Sequence, residues 1–220
     1  MMSIEIGGSE FVLMADRTVL FKERKALLCS DLHWGREAYL QKFGMGIPAF
    51  SFTIESKILT SALIASDARE LWILGDFIHH PDGLHESLFL ELKNWLEYLA
   101  SELKVEVSFI PGNHDRKFND WAAKLPLKLC PSGIQTEHFT FLHEPPRVRE
   151  NQKFHWYGHL HPSIRIEKLF GNRKLPCFLI RENEAYLPAF SRLAGGAQFE
   201  SFPTDRIYAI AEAQVFKVGR

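Results

Sequence analysis

A chain of 220 residues can bury one sizeable core, and 46% hydrophobic with 24% charged residues is the balance of an ordinary globular protein, which excludes disordered and collagen-like classes. The 26 basic and 27 acidic side chains leave a net charge of −1, so no overall basic field advertises a nucleic acid or membrane partner. Any polyanion must be gripped locally.

Cys29, Cys130 and Cys177 are odd in number and lack CxxC spacing, which fits reduced thiols. The opening stretch MMSIEIGGSEFVLMADRT has no basic region followed by an apolar run, and nowhere do roughly 18 apolar residues occur together. The expectation is a cytoplasmic protein with no membrane partner, folded as a single domain over 1–220.

In chain order, Ile4 to Ile6, Phe11 to Met14 and Val19 to Phe21 are short β-rich segments split by Gly-Gly and Asp-Arg turns, predicting an antiparallel edge. KALLCSDLH, ELWILGD and KVEVSFIPGNHD are near-continuous apolar runs, the pattern of strands buried on both faces. Between them, TIESKILTSALIAS predicts a helix with Thr53 as N-cap and Ile54, Ile58, Ala62 and Ala65 inward. Leu84 to Leu103 predicts a second helix on the stripe Leu84, Leu88, Leu92, Trp95, Leu96 and Leu99. The order βαβαβ predicts parallel strands with right-handed crossovers. After Pro131 the texture returns to β in TEHFTFLH, KFHWYGH, IRIEKLF, LPCFLI and EAYLPAF, which predicts a second sheet against the first.

Each apolar run of the first half ends in metal-ligand residue types, at the carboxyl ends of parallel strands where α/β proteins place their sites. These ends are Asp31 and His33, then Gly75 and Asp76, then Gly112 to Asp115. Asp31 and His33, two apart, are expected to point to one side of a finishing strand, and the glycines to allow close backbone approach to a ligand. His143 ends TFLH, and GHLH supplies His159 and His161. Taken singly, DxH and GD are common caps and turns, and Asn113 after Pro111 and Gly112 fits a tight turn. Their order together is the stronger signal.

This series resembles the calcineurin-like metallophosphoesterases, whose pattern runs DxH, GD, GNH[DE], H, GHxH. The resemblance implies a four-layer αββα sandwich of two mixed β-sheets flanked by helices. It also implies two divalent ions, one held by Asp31, His33, Asp76 and His161, the other by Asp76, Asn113, His143 and His159, with Asp76 bridging. His114 takes the family's role of catalytic non-ligand histidine, and Asp115 is expected to orient its ring. Oxygen and imidazole donors without thiolate suit Mn2+, the ion expected, with Zn2+ or Fe as alternatives. Such an ion pair permits in-line attack by a bridging hydroxide.

His79 and His80 follow Asp76 closely enough to bind substrate, or to support the ligands, or to do neither. His85, His138 and His155 are expected to be structural or exposed.

DLHWGREAYLQKFGMGIPAF, GDFIHH and LPAFSRLAGG narrow the resemblance to bacterial DNA-ligase-associated metallophosphoesterases. That resemblance implies a DNA phosphodiesterase or endonuclease of repair, acting on single-stranded or damaged DNA, with a DNA ligase and an exonuclease-like protein as partners. Trp34, Arg36, Tyr39, Lys42 and Phe43 combine basic and aromatic groups suited to a single strand, and Arg165, Lys168, Arg173 and Lys174 add a positive patch. Two alternatives stay open: a small-nucleotide phosphoesterase, and a non-catalytic scaffold of the same fold, against which His114 and the full ligand set argue.

Overall fold

The computed structural model describes residues 1–48, 50–117, 119–147, 153–166 and 173–219, with the side chains of 116–120 left out. In the first sheet β1 (Met2–Ile6), β2 (Ser9–Leu13), β3 (Val19–Phe21), β4 (Ala26–Cys29), β5 (Glu70–Leu74), β6 (Glu106–Ile110) and β7 (Lys128–Leu129) lie side by side in that order. β1 to β4 form the expected antiparallel meander, and β4 to β7 are parallel. Helices α1 (Arg36–Gln41), α2 (Ser51–Ser66), α3 (Glu86–Ser101) and α4 (Asn119–Ala122) lie in the crossovers.

The second sheet uses β8 (Ile134–Gln135), β9 (Phe139–Leu142), β10 (Phe154–Tyr157), β11 (Ser163–Arg165), β12 (Lys174–Ile180), β13 (Glu184–Tyr186), β14 (Arg206–Ala211) and β15 (Gln214–Val218). Its order is β15-β14-β12-β13-β10-β9-β8, with β11 on β12. β10 runs parallel to both β9 and β13 inside an otherwise antiparallel sheet, so this sheet too is mixed.

Strand alternation explains why the runs at β4 and β5 are unbroken, while Glu106 and Ser108 interrupt the one at β6. Leu27, Cys29, Leu71, Ile73, Val107 and Phe109 face the helices. Leu28, Trp72, Leu74 and Ile110 face the second sheet. There they meet Phe139, Phe141, Trp156 and Phe178, so many of the eighteen phenylalanines serve one inter-sheet layer. Phe11 sits 4.6 Å from Phe21 and 4.8 Å from Trp156 between ring centroids, in the offset contacts that aromatic quadrupoles favour. The outer face of the second sheet is covered by β11 and loop residues such as Leu160 and Phe199. Among the described residues no helix is long and apolar enough to cross a membrane. All three cysteines are free thiols, and burial pushes Cys177 up to about 12.

Two local expectations need correction, and one falls outside the described residues. α2 begins at Ser51, with Phe50 at the cap position, so Thr53 lies inside the helix. Its buried face is Glu55, Ser56, Leu59, Ala62 and Leu63, and Ile54 is exposed. The cause is polar: Glu55 accepts hydrogen bonds from Trp34 Nε1 (2.9 Å) and Arg192 N (3.0 Å), which hold that side of the helix inward. His138 stands just before β9 rather than inside a strand, and is exposed. Lys168 and the 167–170 part of IRIEKLF lie outside the described residues.

Candidate metal centre

Every ligand type picked out in the sequence follows the carboxyl end of a parallel strand: Asp31 and His33 after β4, Asp76 after β5, Asn113 after β6, His143 after β9, His159 and His161 after β10. Strand alternation is not what aims them. Asp31, His33, Asp76, His159 and His161 all have positive φ, between 48° and 63°, a left-handed conformation that non-glycine residues adopt at a cost of about 1–2 kcal/mol each. The chain leaves each strand and curls inward. Beyond the strand ends, Asp31 N donates to Gly75 O (3.0 Å), His33 N to Asp76 O (2.8 Å) and Trp34 N to Phe77 O (3.0 Å), zipping the two loops together.

Two ligand groups share one residue. In the first, Asp31, His33, Asp76 and His161 converge, with His161 Nε2 3.1 Å from Asp31 Oδ1, 3.5 Å from His33 Nε2, and His33 Nε2 3.7 Å from Asp76 Oδ2. In the second, His143 Nε2 stands 3.5 Å from Asp76 Oδ1 and 3.2 Å from His159 Nδ1, and both nitrogens lie 3.0 Å from Asn113 Oδ1. Donors about 2.1 Å from one cation, at tetrahedral or octahedral angles, stand about 3.0–3.4 Å apart. The observed spacings of 3.0–3.7 Å lie within that range or a few tenths of an ångström above it, and the donor set of oxygens and imidazoles fits divalent ions of the Mn, Fe and Zn kind. Asp76 turns one oxygen to each group.

The rings are prepared for this. His143 Nδ1 donates to Leu74 O (2.9 Å) and His161 Nδ1 to Gly195 O (3.2 Å), which leaves both Nε2 lone pairs free to bind. Burial drives His33 down to about 3, so it is neutral at ordinary pH. Burial also works against charge on His161, but the Asp31 carboxylate outweighs it and raises that histidine. For Asp31, burial raises the carboxyl, and the His161 bond together with the charges of His161 and His143 and a bond from Ser30 more than reverses it, so the net shift is down. Backbone packs directly on these side chains: at Gly75 (φ +81°) a Cβ would overlap the His143 ring, and at Gly112 it would overlap Asp76 Oδ1.

His114 is half-buried beside the first group. Its Nδ1 donates to His79 O at 2.7 Å, and Nε2 lies 4.0 Å from Asp76 Oδ2. Asp115 was expected to orient that ring and instead binds backbone. Fully buried, it accepts from Gly112 N (2.9 Å), Ile78 N (3.1 Å) and Phe77 N (3.2 Å), stapling the loops after β5 and β6, and burial raises it to about 6. The orienting group is the His79 carbonyl, a backbone atom that side-chain chemistry could not disclose.

His79 itself belongs to the site. Its Nδ1 meets His33 Nδ1 at 3.4 Å, its ring stacks on His114 at 5.1 Å, and burial lowers it to about 4. His80 turns outward onto the Tyr39 ring (4.5 Å) and accepts from Asp82 N. Trp34, expected to touch substrate, is fully buried in the core against Phe77, with its Nε1 bonded to Glu55. Arg36 on α1 is half-buried, with its charge near His79. Tyr39 lies 5.5 Å from His79 and 5.2 Å from Phe43, which is 66% exposed, while Lys42 is exposed. His85 caps α3 by accepting from Leu88 N, and His155 is buried in β10, stacked on Tyr157. Arg165, Arg173 and Lys174 are exposed.

This fold and paired ligand arrangement define a metal-dependent phosphoesterase. The model of the calcineurin-like phosphoesterases matches residues 24–188, three quarters of the sequence, and the chain belongs to that family. Among solved structures it is similar to the Pseudomonas putida nuclease MPE, with a TM-score of 0.81 and 27% identity over 99% of both chains. It is also similar to Yfce, a phosphoesterase from E. coli, with a TM-score of 0.44 and 15% identity over 88% of this chain and 98% of that one. No curated protein matches the sequence.

Proposed function

We propose that this phosphoesterase is a two-metal phosphodiesterase that cleaves DNA, preferring single-stranded or locally unpaired strands, with Mn2+ as its working ion. The observation that carries the DNA reading is a row of rings leading out of the metal centre: His114, His79, Tyr39 and the exposed Phe43, each about one stacking distance from the next, with Arg36 beside His79. Unpaired bases stack on such rows, and an adjacent guanidinium contacts their phosphates. Likeness to a nuclease along 99% of both chains supports the same reading.

Divalent ions, when bound, supply Lewis acidity and an activated water for in-line displacement. The chain's residues do the rest. Asp31, His33, Asp76 and His161 hold one ion, and Asp76, Asn113, His143 and His159 the other. His114, held by the His79 carbonyl, presents Nε2 toward the reacting phosphate and gives a proton to the departing oxygen. His79 accepts from His33 Nδ1 and so keeps His33 Nε2 aimed at its ion.

The test is one assay matrix: metal-stripped protein resupplied with Mn2+, Zn2+, Fe2+ or Mg2+, offered phosphomonoesters, phosphodiesters, nucleotides and DNA of both strandednesses. Cleavage of diesters and of single-stranded DNA is expected. Efficient monoester turnover with diesters and DNA left intact would overturn the proposal, and preference for small nucleotides over DNA would replace DNA as substrate.

A further inference from the structure

A cavity of about 230 Å3 shares His161 with the metal centre and is walled by Arg17, Lys174 and Arg192 with Gly195 and Gly196, and among the described residues by no acidic side chain. It is smaller than the roughly 300–1,000 Å3 of sites for drug-sized ligands, and suits a small ion. One side of it is built from the segment 187–196, LPAFSRLAGG, which is tied into the metal centre at several points. Phe190 N donates to Ser30 O (2.8 Å) and Ser191 N to Asp31 O (3.2 Å), while Gly195 O holds His161 Nδ1.

None of the three cations of this cavity forms an ion pair among the described residues, although Lys174 and Arg192 are exposed. Arg17 Nη1 donates to the carbonyls of Ala189 (3.0 Å), Phe190 (3.3 Å) and Ser191 (2.9 Å), which fixes the guanidinium, and its Nε and Nη2 have no partner among the described residues. The Arg192 guanidinium forms no ion pair among the described residues, its backbone N–H alone being bonded to Glu55. Lys174 Nζ is anchored on Gly196 O at 3.0 Å. Burial first, and the neighbouring Arg192 charge second, make protonation of Arg17 less favourable than usual. Glu55 offsets this only in part, because burial raises its own carboxyl to about 7. Asp16, Glu55 and Glu212 line the adjoining cavity, whose wall Arg17 and Arg192 share, and Asp16 Oδ1 is engaged by Thr18. Three cations around a small concave space, with no acid among the described residues of its wall, suit an oxyanion.

We infer that this cavity is a phosphate subsite, in which Arg17, Lys174 and Arg192 hold a non-scissile phosphate of a nucleic-acid strand whose scissile phosphate lies at the metal centre. The inference rests on the proposed DNA function. His161 makes the connection, since its Nε2 belongs to the first ligand group while the same residue walls the cavity. A free phosphate or the terminal phosphate of a nucleotide offers the same chemistry, and the experiment separates these sources.

The test compares the metal-loaded wild type with the double variant Lys174→Gln, Arg192→Gln, leaving the structural Arg17 in place. Binding of a phosphorothioate single-stranded oligonucleotide is followed by fluorescence anisotropy over a salt series, with inorganic phosphate as a second probe by calorimetry. Kinetics are measured on single-stranded DNA and on bis(p-nitrophenyl) phosphate, which carries one phosphate. The expected result is a Kd for the strand raised about tenfold, with the salt slope shallower by about 1.4 for two lost contacts on a single strand. The rise in KM should be at least fivefold greater on DNA than on the one-phosphate diester. Equal losses on both substrates, or unchanged strand binding, would overturn the subsite. Weakened binding of inorganic phosphate with unchanged strand binding would reassign the cavity to a free phosphate and equally overturn the inference. Absence of diester cleavage by the wild type with every metal would instead sink the proposed function, while the binding measurement still decides the subsite.

Discussion

His33 Nε2 and His161 Nε2 face each other across 3.5 Å, with Asp31 Oδ1 only 3.1 Å from the second of them. Two imidazole nitrogens aimed at each other, one of them on a ring kept neutral by burial, bring lone pairs together in a way that a shared cation resolves. The same relationship recurs between His143 Nε2 and His159 Nδ1 at 3.2 Å, and Asp76 lies between the two pairs. Asp76→Asn therefore removes charge from both groups at once. The expected outcome is less than one metal per chain, with affinity falling by more than the roughly 10–100-fold that outer-sphere partners command. Metal analysis after dialysis checks it, and a variant that keeps two ions refutes the sharing of Asp76.

Removing the His114 ring deletes no ligand of either group, although its Nε2 lies 4.0 Å from Asp76 Oδ2. His114→Ala is expected to keep its metals and lose about 10²–10⁴-fold in kcat. The deficit should depend on the leaving group, large for a deoxyribose oxygen and small for p-nitrophenolate, which departs without a proton. A deficit of the same size for both would show that His114 does not act as the acid.

Gly75 has φ +81° and lies against the His143 ring, whereas Gly8 has φ +77° and nothing within 4 Å of where a Cβ would stand. The pair separates backbone strain from contact. Gly8→Ala should cost only the left-handed penalty of about 1–2 kcal/mol. Gly75→Ala should add displacement of His143, and with it loss of the ion at the second group. Denaturation and metal content measured on both variants decide, and equal behaviour would mean that the approach of Gly75 to His143 is not needed.

How much of this was legible in the sequence depended on how local the cause was. The strands β4 and β5 announced themselves because burial on both faces leaves no polar interruption, β6 because Val107, Phe109 and Ile110 outweigh Glu106 and Ser108, and the ligand types at the ends of all three stood in a fixed order. What aims those ligands, the left-handed turn at Asp31, His33 and Asp76, leaves no mark in residue type, since none of them is Gly or Asn. Trp34 looked like a surface aromatic among Arg36, Tyr39 and Lys42. Its inward position depends on Glu55, on the next helix. The hairpin β14–β15 was missed because its turn, Glu212 and Ala213, takes positive φ at both residues without the Asn-Gly or Gly pairs that usually signal such turns. His79 and the carbonyls of Leu74 and Gly195 are tertiary partners, visible only once the chain is folded.

Glu55 gives a pH-dependent prediction. Burial raises its carboxyl from the ordinary 4.5 to about 7, offset in part by the bonds from Arg192 N and Trp34 Nε1. Between those two values the folded protein holds a proton that the unfolded chain has released, so the contribution of Glu55 to stability falls as pH rises through that window. Glu55→Gln stays uncharged throughout and cannot accept from both donors at once. At pH 5 it should therefore be less stable than wild type by about 1 kcal/mol for the lost hydrogen bond. By pH 8 the wild type bears the cost of an ionised buried carboxylate, and the difference should shift in favour of the variant by up to about 3 kcal/mol. Groups that do not interact with Glu55 affect both proteins alike and cancel in the difference, which leaves Glu55 and its charged neighbours Glu37 and Arg17. Chemical denaturation of the two proteins at pH 5 and pH 8 measures it, and parallel stability profiles would show that Glu55 titrates as an ordinary carboxylate.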